Sequence, residues 1–177
     1  MRFTILAAEW NAKLVALAKV MNSKVALPIY STFLLELKDG VLRITASDMD
    51  CSRCSTLPVM DMDRANEHNG SLCVTASFLL DSLKNLGDQP VTFEADEENL
   101  SVVIRYNNGQ FDMVGFPAKD YVLPGTMEKN VKATIEASVL NDSIGKSLYA
   151  VGNDDLRPIF CGIYFTKKGD ELQCAAT

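Results

Sequence analysis

The chain contains a shifted copy of its own beginning. Moving residues 131–177 back by 130 positions lays them on residues 1–47 without a gap. Thr134 falls on Thr4, Ile135 on Ile5, Ala137 on Ala7 and Asn141 on Asn11. Pro158-Ile159 falls on Pro28-Ile29, Phe160 on Tyr30, Lys168 on Lys38, Leu172 on Leu42 and Ala176 on Ala46. Each copy reads as a short strand, an amphipathic helix, a polar loop ending in proline, and a hairpin. Stacked solenoid units repeat every ~20–50 residues, so a spacing this long means tandem domains. The boundaries that follow are 1–125 for one whole domain and 126–177 for the front part of a second.

The pattern also restarts inside the first domain. Residues 1–6 read as a strand, and from Ala8 to Met21 the residues Trp10, Leu14, Leu17, Ala18 and Met21 fall on one helical face. Strands follow at Tyr30–Leu37, Val41–Ser47 and Cys51–Val59, the first two joined by Asp39-Gly40, a strong hairpin signal. Ser71–Thr75 then reads as a strand and Ser77–Leu86 as a helix with Phe78, Leu79, Leu83 and Leu86 inward. Strands at Val91–Ala95, Leu100–Tyr106 and Gly109–Gly115 complete this second half. Residues 116–125 read as a linker. The next helix, Ser138–Val151, turns Leu140, Ile144, Leu148 and Val151 inward, ahead of strands Ile159–Thr166 and Glu171–Thr177. The expected fold is α+β: two strand–helix–strand–strand–strand halves per domain, with helices lining one face of antiparallel sheets.

Composition narrows the function classes. No run reaches the ~18 apolar residues of a membrane span, and the start MRFTIL has no basic-then-apolar leader. A cytoplasmic location is expected, with the five cysteines reduced. A net charge of −6 argues against a protein that coats nucleic acid over its whole surface, but leaves room for a local basic face. Lys19, Lys84 and Lys146 each stand opposite the apolar stripe of a helix, diluted by Glu9, Asp81 and Asp142. Any solvated helix carries lysines outward. The sharper reading is a common helix surface that faces a polyanion, with Lys24 on the loop after the first helix adding to it.

Other motifs are declined. Cys51-Ser52-Arg53-Cys54 has C-x-x-C spacing, but a closed zinc site needs four ligands and there is no second pair. His68, the one histidine, sits in a polar loop and is a poor supply of general base. Asp61, Asp63 and Glu67 could serve a metal-dependent hydrolase, yet no EF-hand spacing supports a site. There is no P-loop and no G-x-G-x-x-G. The expectation is no catalytic residue, no metal and no cofactor. A protein-interaction module without a DNA role stays open as the alternative.

Several segments together resemble one family. They are MRFT, ALPIYSTFLLEL followed by DGVLRITASD, VTASFLLDSL, FPAKDYVLP, and RPIFCGIYF with LQCAAT. They are similar, in register across the whole chain, to the bacterial DNA polymerase III β subunit, the sliding-clamp family. The resemblance implies a protein of three similar domains, of which this chain holds the first and part of the second. Two such protomers form a homodimeric ring, with helices around duplex DNA and sheets outside. It implies sequence-independent contact with double-stranded DNA and no enzymatic activity of its own. By position it implies DNA-facing roles for Lys24 and Lys84, and for Asn153, beside which Asp154 is acidic where the family has a neutral polar residue. It implies that Phe160 and Thr177 belong to a groove between second and third domains that holds the DNA polymerase III catalytic subunit and the clamp loader. The strand with Gln110 and Phe111 is implied to face the third domain of the other protomer. Without a third domain, this stretch is not expected to close a ring.

Overall fold

The computed structural model describes residues 1–21, 27–60, 69–123, 125, 134–154, 156–169 and 171–177. Its backbone divides into two compact units, Met1–Thr126 and Met127–Thr177. The first half of the first unit runs β1 (Arg2–Leu6), α1 (Ala7–Ala18), β2 (Thr32–Lys38), β3 (Val41–Ser47) and β4 (Ser52–Pro58). The second half repeats that order as β5 (Gly70–Thr75), α2 (Ala76–Leu83), β6 (Pro90–Ala95), β7 (Ser101–Tyr106) and β8 (Gly109–Val114). A short strand β9 (Phe116–Pro117) ends it. The β2–β3 hairpin turns through Asp39 and Gly40, both at positive φ (50° and 75°), the conformation a two-residue type I′ turn requires.

The halves exchange their first strands. One sheet has the order β1-β6-β7-β8 and the other β4-β3-β2-β5-β9. Strand β1 therefore lies in the second half's sheet, with Ile5 opposite Val91, and β5 lies in the first half's sheet, with Val74 opposite Phe33. The exchange also caps α1, whose first peptide N–H, on Ala7, donates to the Gln89 carbonyl at 2.9 Å. One core results. Trp10 and Leu14 of α1 and Leu79 of α2 are fully buried among Phe3, Leu35, Ile44, Phe93 and Ile104. The Trp10 ring meets Phe3 and Phe93 edge-on, at 5.4 and 5.8 Å, and those two rings stack at 4.9 Å.

Three expectations need correcting in this unit. Tyr30 precedes β2, in a single 3-10 turn over Pro28–Ser31. Pro28 has no N–H to give a sheet, and Ser31 and Thr32 donate their hydroxyls back to the Pro28 and Ile29 carbonyls at 2.6 and 2.5 Å. Phe78 is exposed, because α2 starts at Ala76 and turns Leu79 and Leu83 to the core instead. The expected linker is partly structure: Phe116 pairs with Cys73, and Tyr121 is buried against Tyr30 at 5.5 Å. The Tyr30 hydroxyl fixes this strap by donating to the Val122 carbonyl at 2.8 Å.

The second unit contains α3 (Ala137–Leu148), a 3-10 turn at Pro158–Phe160, and a hairpin of β10 (Tyr164–Lys168) and β11 (Glu171–Ala175). The 130-residue shift holds residue by residue. Helix α1 spans 7–18 and α3 spans 137–148. Leu34 opposes Thr45 and Tyr164 opposes Ala175; Lys38 opposes Val41 and Lys168 opposes Glu171. Packing does not repeat. No residue of α3 is buried, and Leu148, expected inward, is 58% exposed. The strand expected from Ile159 begins at Tyr164, since Pro158 again opens a 3-10 turn.

Candidate nucleic-acid interface and partner surfaces

All three helix lysines sit at helix C-terminal ends. Lys19 and Lys84 are the C-caps of α1 and α2, and Lys146 lies in the last turn of α3. A cation there is favoured by the helix dipole, by ~0.3–1 kcal/mol at an exposed site. Within the first unit α1 and α2 are direct neighbours, so Lys19 and Lys84 stand on adjacent helices. Lys19 is exposed and makes no ion pair among the described residues. Lys84 is held by Asp81 at 2.7 Å, and Lys146 lies 3.5 Å from Asp142. Exposed pairs of this kind contribute little to stability. Their effect is to lower the positive field that the two lysines present.

One cation escaped sequence reasoning. Arg53, on β4 within the Cys-x-x-Cys stretch, donates from Nη1 to the Ala16 carbonyl at 3.0 Å and so joins Lys19 at the end of α1. Strand alternation alone assigns Arg53 to a face, but not to the end of a helix some forty residues earlier. Lys24 lies outside the described residues, as do Asp61, Asp63, Glu67 and His68. Among the described residues no group of three His, Cys, Asp or Glu side chains could hold a metal ion. No described helix is long and apolar enough to cross a membrane.

In the second unit Asn153 is exposed on the segment after α3. Asp154 is engaged locally: its carboxylate accepts from the Leu156 N–H at 3.0 Å and lies 3.9 Å from Arg157. Phe160 is partly exposed, with its carbonyl accepting from Gly152 N–H at 2.8 Å, and Thr177 is exposed at the chain end.

Gln110 and Phe111 lie on β8, the outer strand of its sheet. A ladder of side chains crosses that sheet: Arg2 and Arg105 each reach Glu94 at 3.3 Å, Arg105 donates to Gln110 at 2.5 Å, and Gln110 donates to Asp112 at 2.9 Å. Phe111 stacks on Tyr106 at 5.0 Å and shares a shallow groove with Ser77, Phe78, Asp81 and Ser82. The exposed Phe78 thus adds an apolar group beside the edge strand.

Paired helices backed by two antiparallel sheets, in halves that repeat within a unit and again along the chain, define the DNA-clamp class of α+β protein. Residues 1–124 match the family model described as DNA polymerase III beta subunit, N-terminal domain. The chain belongs to that family. It is 27% identical to the beta sliding clamp of Bacillus subtilis over the whole chain and 47% of that protein. It is 25% identical to the Staphylococcus aureus beta sliding clamp over the whole chain and 48% of that relative. Among solved structures, the DNA polymerase III subunit beta of Pseudomonas aeruginosa superposes on the whole chain with a TM-score of 0.89 at 23% identity, over 47% of its own length. The Bacillus subtilis clamp gives 0.88 at 24%, again over 47%. The chain spans about half the length of the relatives it matches.

Proposed function

We propose that this chain serves in a sliding clamp: a ring-forming, non-catalytic accessory subunit of the bacterial replicative polymerase, acting in the cytoplasm. Membership of the β-subunit family over residues 1–124 is the observation that carries this reading. Residues 1–125 act as the first clamp domain and 126–177 as the front of the second. Helix ends bearing Lys19, Arg53 and Lys84, with Lys24 nearby and Lys146 and Asn153 in the second unit, face duplex DNA. Their contacts are to phosphate, so they give affinity without sequence choice. Ion pairs such as Lys84–Asp81 keep each contact weak, which suits a protein that must slide. Phe160 and Thr177 contribute to the groove that binds the polymerase and the clamp loader. The β8 edge, with Gln110, Phe111 and the neighbouring Phe78, meets another protomer. Tethering then works by effective concentration, since an enzyme held to a ring on DNA stays near the primer end.

The test is fluorescence anisotropy on a duplex oligonucleotide at about 50 and 200 mM salt. Weak binding that fades at the higher salt is expected. Replacing Lys19, Arg53 and Lys84 by Ala should lower the salt slope by roughly 0.9 per lost phosphate contact. No binding at the lower salt, or an unchanged slope in the triple variant, counts against the helix-end interface.

A further inference from the structure

We propose that the second unit pairs with the second unit of another copy of this chain, two half-domains closing into one domain built like the first unit. The inference rests on the fold and stands apart from the function proposed above. Inside the first unit, two halves of the same order give each other three things. Each supplies its first strand to the other's sheet, as β1 on β6 and β5 on β2. Each opens a strand edge to receive one. Each lays a helix against the shared core, where Trp10 meets Phe93 of the other half.

The second unit has all three components and none of the partners. Residues 134–136 approach α3 in no described strand, with Glu136 extended at φ −65°, ψ 132° and Ile135 37% exposed. Strand β10 pairs only with β11 among the described residues, so its other edge is open. Leu140 and Ile144, at the places of Trp10 and Leu14, are only partly buried, and Phe165, at the place of the fully buried Leu35, is 44% exposed.

A second copy fits because the first unit already shows the geometry. Val74 opposes Phe33 there, and Ile5 opposes Val91. Carried along the repeat, Ile135 of one copy opposes Ile163 of the other, and the symmetric pair forms at the same time. Such an interface is isologous and closes at two chains. The paired edges stop acting as free templates for aggregation. Lys167 stands where Leu37 is buried, but at the hairpin end, where a lysine stem can lie on apolar surface with its ammonium in water. A standard interface covers ~800 Å² per partner; a twelve-residue helix face, an open hairpin face and an exchanged segment together are of that order.

The experiment is sedimentation and light scattering of the 177-residue chain over the micromolar range. A reversible dimer is expected. Phe165→Asp should weaken it by about 30-fold or more, as loss of a central aromatic does. Tyr149→Asp, at the outward position matching Lys19, should leave it unchanged. Trp10, the one tryptophan, lies in the first unit and reports by fluorescence that the fold is intact in each variant. Pairing is read separately by mixing an Ile135→Cys chain with an Ile163→Cys chain under mild oxidation. A reducible heterodimer with those two peptides joined supports the exchange. A monomer throughout, a dimer insensitive to Phe165→Asp, or no 135–163 link in a dimer that does form overturns it.

Discussion

Trp10 heads the apolar stripe of α1, and Leu140, 130 residues on, heads that of α3. The helices have the same length, the same register to their hairpins and the same turn chemistry before them. One side chain is fully buried and the other only partly. The difference separates two kinds of information. Helix limits and hairpin pairing are set within about 45 residues, by proline, turn residues and periodicity, and they recur in both units. The core is not local. It appears only where a second half brings Phe93, Leu79 and Ile104 against the first, so it is a property of two halves and not of one.

The strongest way to break this comparison is to truncate both residues. Trp10→Ala should cost the first unit about 3–5 kcal/mol, the range for a buried large aromatic. Leu140→Ala should cost about 1 kcal/mol or less, the range for a side chain without a sealed environment. Urea unfolding followed by circular dichroism reads both, since the first variant removes the only tryptophan. Equal losses would mean that the second unit has a core of its own.

Alkaline pH should also act on the first unit. Burial pushes the Cys73 thiol up to about 12, with Asp120 and Glu36 adding and the Thr32 hydroxyl opposing. Burial likewise pushes Tyr121 up to about 12, with Cys73 and Tyr30 adding and the Ser47 backbone opposing. Both groups are neutral in the fold. Below pH ~9 the folded and unfolded chains both hold these protons, and stability is unaffected. From about 9 for the thiol and 10 for the phenol, up to about 12, only the unfolded chain releases them, so stability falls as pH rises. Melting followed by Trp10 fluorescence should show a steady decline through that window. Cys73→Ala should flatten its early part, and an unchanged slope would mean that the strap holding Tyr121 over Cys73 is open in solution.

Much of this was legible in the sequence, for reasons that also explain the misses. The repeat, both half-domains, the Asp39-Gly40 turn and the stripes on α1 and α3 are short-range patterns that the backbone obeys. The strand exchange was not legible, because nothing in β1 or β5 says which sheet will take it. Phe78 and Tyr121 were misread for a related reason. An apolar residue at a helix start or in a Pro-flanked strap is buried only if another element arrives over it, and one did so for Tyr121 alone. At the site, the lysines could be read as helix-borne, but Asp81 and Asp142 as their close partners follow from i,i+3 and i,i+4 spacing, which went unused. Arg53 at the end of α1 depends on β4 packing there, and only the fold supplies that.

Two glycines sharpen the comparison with smaller effects. A Cβ on Gly115 would meet Leu72 Cδ2 at 2.6 Å and the Cys73 carbonyl at 2.9 Å, where β8 turns into β9. One of those contacts is backbone and cannot swing away, so Gly115→Ala should destabilise the first unit by about 1–3 kcal/mol. Gly145 lies inside α3 with nothing within 4 Å of an added Cβ. Alanine there relieves the helix-interior penalty of glycine, ~1 kcal/mol. Gly145→Ala should therefore raise the helical signal and the protection of α3 amides to hydrogen exchange, while the Trp10 fluorescence melt stays unchanged. A parallel shift in that melt would show the two units unfolding as one, and would remove the basis for treating their stabilities separately.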